Sequence, residues 1–530
     1  MGARIERAKR ALYVTRVARR SGLFRVLREI GVVGERAPTA EGARNFRQAL
    51  EELGTTYIKL GQLLSSRPDL LPDVYIEELS RLVDEVPPVP FGQVEQVVRE
   101  ELDPDLFVEI DPEPIATASI AQIHRGQLAN GLEVAVKVRR PGIEDVVARD
   151  LDLIRSTARL LDKHSEAAQL LQVEALADEL AVHLRSELDL EEEAHNTELI
   201  AKFVGDSRNL VVPRVIRPYV TKRVLVLELL QGQKVTPAHG LPEERARELA
   251  RELFHSYVRQ VTSEGVYHAD PHRGNILLTP DGRLVLLDFG LLGRLDDDTR
   301  RSLALLLLAV AQNRAEDVAD VILDLSLTTL VSDEPSFLHE IRRKLPRYHW
   351  RPLKDIRAGE ALTDLQRISL RYGIRLPPAF ALVGKTLSQA DSVARALDPE
   401  LDPVGLLEND SLAVMLEEAE RRLEPSTFLS YVYTQLDALA RLPRRAAQVV
   451  NRLESGTLKV GIAPTDLTGL ERILRSTANR VGAALIVVGL LVSSALMARI
   501  SHTVAYAGFA CSFLLGLYMV WKIIRTPGEL

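Results

Sequence analysis

Two lobes of α+β character with a cleft at their join are predicted by three features of this 530-residue sequence. Short runs with alternating apolar residues occupy 120–128 and 132–138, separated by the turn signal Asn130-Gly131, which predicts a β-hairpin. After Gly232 the pattern becomes mainly helical. Inside that helical part a second, smaller hairpin is predicted at 276–278 and 284–287, joined by Pro280-Asp281-Gly282. A sheet-rich segment followed by a helix-rich one folds as packed layers with a groove where they meet.

The remaining elements follow from periodicity. Up to about Gly34 the chain is basic, and Leu23, Val26, Leu27 and Ile30 recur at helical spacing among Arg19, Arg20, Arg25 and Arg28. Such a helix either lies on an anionic membrane surface or packs on its own domain with a basic face outward, and periodicity leaves both open. Helical patterning covers 41–101, broken by the Pro-rich stretch 86–90. Helices are expected at 143–163, 173–203 and 242–264, strand-like runs at 210–216 and 223–229, and further helices over 296–422. The expected division is 1–105 N-terminal helical region, 106–232 sheet lobe, 233–422 helical lobe, 423–480 connector and 481–523 apolar hairpin.

Composition narrows the function classes. With 46% hydrophobic and 27% charged residues the chain is globular, and a net charge of -7 gives no basic footprint for nucleic acid. The single cysteine, Cys511, excludes an intrachain disulfide and a Cys-based zinc site and suits a reducing compartment. Residues 1–20 lack the pattern of a cleavable export signal, so the bulk of the chain is expected in the cytoplasm. Residues 481–498 and 504–521 are uncharged apolar runs, each about the ~18–20 residues that cross ~30 Å of hydrocarbon as a helix. Two transmembrane helices are therefore predicted. Arg472, Arg475 and Arg480 before them and Lys522 and Arg525 after them place both flanks on the cytoplasmic side of a cell inner membrane.

The residues that carry chemistry are Asp270, Asn275 five positions on, and Asp288-Phe289-Gly290 after the small hairpin. Phosphoryl transfer needs Mg²⁺ held by hard oxygen ligands and a carboxylate that orients the acceptor, and this order matches the kinase catalytic loop and its metal-binding Asp. Val134-Ala135-Val136-Lys137 places a lysine on the face of a strand opposite its apolar neighbours, where it can meet nucleotide phosphates. His268 and His272 lack Cys or Glu partners at zinc-site spacing and read as loop-structuring residues. The fold expected is thus a protein-kinase-like one with an added N-terminal helical segment, taking ATP and Mg²⁺.

Three further segments resemble those of the UbiB family, also called the ABC1 or atypical-kinase family, associated with ubiquinone biosynthesis. Lys59-Leu60-Gly61-Gln62 with Ser65-Ser66-Arg67-Pro68-Asp69-Leu70-Leu71-Pro72 resembles its KxGQ segment, and Glu187-Leu188-Asp189 its ExD motif. Residues 116–124 (Ala116, Thr117, Ala118, Ser119 and onward) are similar to its Ala-rich loop, which stands where ordinary protein kinases carry glycines. The resemblance implies that Lys137 contacts phosphates and pairs with Glu193. It gives the Ala-rich loop to the nucleotide, Asn275 and Asp288 to Mg²⁺, and the catalytic-base position to Asp270. It also brings Lys59 and Gln62 to the cleft with Glu187 and Asp189 as partners. Alanine disfavours positive φ, so such a loop has fewer conformations near phosphates than a glycine loop. The family usually has Pro where this chain has Arg273, and Arg in that loop is expected to add flexibility and charge.

The function these readings favour is an ATP-binding ATPase or small-molecule kinase that supports isoprenoid-quinone biosynthesis at the membrane. A membrane lipid or quinone precursor and quinone-biosynthesis enzymes are the expected partners. The alternatives are a non-catalytic, nucleotide-gated scaffold or lipid-handling protein, and a protein kinase.

Overall fold

A computed structural model describes residues 2–21, 38–65, 67, 70–82, 86–103, 107–164, 173–205, 207–237, 240–328, 332–346 and 358–407, with positions 509, 510 and 512–514. Residues Met1–Leu423 form one compact unit and Glu424–Leu530 a second, each taken by itself. The expected amphipathic helix at 23–30 lies outside the described residues, as do the two expected transmembrane helices apart from positions 509, 510 and 512–514. Among the described residues no helix is long and apolar enough to cross a membrane.

The chain opens with helices α1 (Gly2–Arg20), α2 (Ala40–Leu53), α3 (Thr55–Ser65), α4 (Asp73–Leu79) and α5 (Phe91–Glu101). The first four share a core that includes Val17, Phe46, Leu50, Tyr57, Tyr75 and Leu79. Arg10 ties α1 down: its guanidinium donates to both carboxylate oxygens of Asp150 at 2.7 and 2.8 Å and to the Leu53 carbonyl at 2.7 Å. Gly61 lets α3 approach its neighbours, because a Cβ there would sit 2.3 Å from Leu82 Cδ1 and 2.7 Å from Leu50 Cδ1.

Strands β1 (Phe107–Thr117), β2 (Ala121–Leu128) and β3 (Glu133–Arg139) follow, then helices α6 (Ile143–His164), α7 (Val173–Glu187) and α8 (Leu190–Val204), the short strand β4 (Leu210–Val211) and β5 (Val224–Glu228). The antiparallel sheet runs β1-β2-β3-β5. On β3, Val134, Val136 and Val138 are buried together with Val94, Val97 and Val98 of α5, which turns Ala135 and Lys137 to the opposite face.

The second half holds β6 (Gln233–Lys234), α9 (Glu243–Arg259), β7 (Val266–His268), β8 (Ile276–Leu278), β9 (Leu284–Leu286) and β10 (Leu292–Arg294). It continues with α10 (Asp297–Ala311), α11 (Ala315–Leu325), β11 (Leu327–Thr328), α12 (Glu334–Lys344), α13 (Ala358–Arg371), β12 (Ile374–Arg375) and α14 (Pro378–Leu397). Its core joins α9, α10 and α14 through Leu253, Phe254, Leu303, Leu307, Val383 and Leu387.

Four expectations need correction. The single helix expected at 173–203 is two, because Asp189 adopts an extended backbone and its side chain accepts from the Glu191 amide, capping α8 ahead of Glu191, Glu192 and Glu193. The run 210–216 forms a strand only at Leu210–Val211, since Pro213 has no amide to donate. The helix expected at 242–264 changes at Gln260 into a π turn through Glu264. Strand β1 was not anticipated, because Pro112 and Pro114 argue against an interior strand; it is the sheet edge, where proline is tolerated.

Candidate functional site

Lys137 stands where the sheet faces the helical half. Its Nζ donates to Glu193 Oε1 of α8 at 2.6 Å and to Asp288 Oδ1 at 3.5 Å. Burial works against its charge, but Asp288 and Glu193 outweigh that penalty and raise its pKa. The charge of Lys137 in turn holds the Asp288 carboxyl well below the usual carboxylate range. Asp288 has a left-handed backbone, φ +58°, uncommon for a residue with a side chain, and Oδ1 accepts from the Gly290 amide at 3.3 Å. Asn196, one turn beyond Glu193, donates to the Phe289 carbonyl at 3.1 Å, so α8 grips the lysine and the Asp-Phe-Gly segment together.

The loop between β7 and β8 is held from several sides. The His268 amide donates to Gln260 Oε1 at 3.0 Å from the π turn, and the His268 ring packs 5.1 Å from Phe289. Asn275 Nδ2 donates to the Asp270 carbonyl at 3.2 Å, which leaves Asn275 Oδ1 as the acceptor on that side chain. Helix α14 supplies the remaining grip. Thr386 donates to the Ala269 carbonyl at 3.2 Å, Gln389 to Asp270 Oδ1 at 3.0 Å, and Lys385 lies 3.3 Å from the same oxygen. Burial would raise the Asp270 pKa, but Lys385, His272 and Gln389 together lower it. Arg273 directs its guanidinium out of this loop, to the Ser392 carbonyl of α14 at 3.1 Å.

Lys59 pairs with Glu187 Oε2 at 3.0 Å, which ties α3 to the end of α7. Gln62 is half-buried on the same helix. Asp189 is not the partner expected for them: besides capping α8 it faces Lys222 at 3.6 Å. Ala116 and Thr117 end β1 opposite Ile123 and Gln122, and the Ala118 amide closes a turn onto the Ala121 carbonyl at 2.9 Å. Arg140 donates to the Ala118 carbonyl at 2.9 Å, and Thr55 to that of Ser119 at 3.3 Å. Ser119 is itself 1% exposed, so its hydroxyl faces the protein, whereas Ala116 is exposed and Thr117 half-buried.

Sequence reasoning missed Lys385, Gln389, Thr386 and His183. Burial first, then the charges of Lys59 and Lys385, lower the His183 pKa to about 4. Gln389 and Thr386 carry no local motif; Gln389 lies four residues after Lys385 and three after Thr386 on α14.

Asp288 and Asn275 fit Mg²⁺ as one carboxylate and one amide oxygen, a set completed by substrate phosphates and water rather than a self-sufficient cage. No cluster of three or more His, Cys, Asp or Glu able to hold a metal occurs among the described residues.

A strand lysine paired with a helix glutamate, beside an Asp-Phe-Gly and an Asp-to-Asn loop, defines a protein-kinase-like cleft. The ABC1 atypical kinase-like domain matches residues 81–322, the UbiB helical domain 341–402, and the ABC1/UbiB kinase-like C-terminal domain 465–525. A probable protein kinase UbiB of Marinobacter nauticus is 36% identical over 376 residues, covering 69% of this chain and 68% of its own length. An uncharacterized protein of Synechocystis is 36% identical over 378 residues, 68% of this chain and 92% of its own. The chloroplastic protein Activity of bc1 complex kinase 8 of Arabidopsis thaliana is 30% identical over 540 residues, 91% of this chain and 70% of its own. The chain belongs to the ABC1/UbiB atypical kinase-like family.

His268 gives the site a pH signature. Burial lowers its pKa from 6.5 to about 4, so below about pH 6.5 the unfolded chain takes up a proton that the native ring refuses. The stability contributed by the neutral ring is complete above that pH and is lost as pH falls towards 4, by at most about 3 kcal/mol. In urea unfolding at pH 7 and pH 4.5, His268→Phe is expected to lose less stability across the interval than the wild type. Equal losses would assign the acid sensitivity elsewhere.

Proposed function

We propose that the cleft binds Mg·ATP and passes the γ-phosphoryl group to water or to a small acceptor, in support of isoprenoid-quinone biosynthesis at a membrane. The observation that carries this reading is Lys137 held between Glu193 and Asp288, a cation fixed where nucleotide phosphates need one. Relatives named UbiB support the quinone assignment.

Lys137 would engage the phosphates from the sheet side while Glu193 keeps its ammonium in place. Asp288 and Asn275 Oδ1 would hold Mg²⁺, which when bound neutralises charge on the β- and γ-phosphates. Asp270 would orient the acceptor hydroxyl through Oδ2, the oxygen not taken by Lys385 and Gln389. As the acceptor oxygen bonds to the γ-phosphorus, the bond to the β,γ-bridging oxygen breaks, ADP leaves with its electron pair, and the acceptor proton passes to Oδ2. Lys59, paired with Glu187, would bring α3 against the cleft and favour a small acceptor over a protein one.

Residues 481–498 and 504–521 would anchor the chain by two membrane-spanning helices, with the kinase-like part on the cytoplasmic side; their uncharged sequence supports this.

Purified full-length protein in lipid is expected to release phosphate from ATP with Mg²⁺, and Asp288→Asn to lower the rate at least about a hundredfold, the scale of a lost electrostatic group. Release no greater than that of Asp288→Asn would overturn the enzymatic reading. For the anchor, the full-length chain should stay in the membrane pellet after alkaline carbonate washing; release into the supernatant contradicts two spanning helices.

A further inference from the structure

We propose that Lys385 of α14 is the cation that binds the γ-phosphate, supplied to the site from the helical domain rather than from the loop that carries Asp270. The inference rests on the nucleotide-binding reading above and extends it to one residue that no motif in the sequence marks.

A transferring phosphoryl group needs a positive charge near its terminal oxygens as well as one on the inner phosphates. Lys137 is committed to the sheet side by Glu193 and Asp288. The loop between Asp270 and Asn275 holds a single permanently charged residue, Arg273, and its guanidinium is turned onto the Ser392 carbonyl of α14. Lys59 is paired with Glu187. Lys385 reaches Asp270 itself, at 3.3 Å from Oδ1.

Its setting is that of a poised ligand group rather than a buried strut. The Lys385 side chain is 30% exposed and its Asp270 partner 34%, so both open to the cleft. The backbone beneath is fixed: Thr386 holds the Ala269 carbonyl, Gln389 holds Asp270 Oδ1, and Arg273 holds Ser392, positions spread along one face of α14. A lysine has a flexible four-carbon stem, so the ammonium can swing from the carboxylate to a phosphate oxygen while the helix stays in place. Gln389 keeps Asp270 oriented when it does.

The test is equilibrium binding of ATP and of ADP, each with Mg²⁺, to full-length protein and to Lys385→Ala and Lys385→Arg. Lys385→Ala is expected to weaken ATP binding about tenfold or more, as loss of a charge-assisted contact does, and to change ADP binding less than about threefold. Lys385→Arg should recover most of the ATP affinity. Equal effects on ATP and ADP, or none on either, would overturn the γ-phosphate assignment while leaving the nucleotide site intact. Failure of the wild type to bind either nucleotide would overturn both this assignment and the reading it rests on.

Discussion

The cleft depends on one charge arrangement, the ammonium of Lys137 shared by the buried Glu193 and the exposed Asp288. These three residues come from a strand of the sheet, a helix packed beside it and the loop after the small hairpin of the helical half. Removing Lys137 leaves the Glu193 and Asp288 carboxylates without their shared cation, whereas removing either carboxylate leaves the lysine one partner. The arrangement therefore sets the sheet, α8 and the Asp-Phe-Gly segment in register with one another. Asn196 reinforces it by holding the Phe289 carbonyl from the same helix.

Around that centre, the acidic groups of the cleft are met by lysines from different parts of the chain. Lys59 of α3 meets Glu187, and Lys385 of α14 meets Asp270. An N-terminal helical segment and a C-terminal helix thus converge on a site whose sheet and loops are those of a kinase-like fold. Gly61 packs α3 closely within the N-terminal helical core, since a side chain there would meet Leu50 and Leu82. The row of polar contacts from Lys385 to Ser392 holds α14 against the site.

Much of this site was legible because its determinants are local. Asp270, Asn275 and Asp288 lie within one loop and hairpin, and the alternation of β3 alone turns Lys137 away from Val136 and Val138. Glu193 and the Lys59–Glu187 pair came from family resemblance, which carries long-range information that spacing does not. Asp189 shows the limit of that transfer: its acid group is explained by the start of α8 and by Lys222. The cap had a signal in the sequence, an Asp followed by three Glu, which the continuous helical periodicity obscured. The acceptor of Arg273, Ser392, could not be read from the loop because it lies 119 residues further along the chain. Lys385 and Gln389 could not be found from sequence, since they lie more than a hundred residues from Asp270 on an ordinary amphipathic helix.

The proposed function requires Asp288 and Asn275 to form half of a metal site that only a nucleotide completes. Electron paramagnetic resonance of Mn²⁺ titrated into full-length protein tests it directly. The account predicts weak binding of Mn²⁺ alone, a bound-metal signal of about one ion per chain when ATP is added, and loss of that signal in the Asn275→Ala, Asp288→Asn double variant. A bound signal that is the same without ATP, or that survives in the double variant, would contradict it.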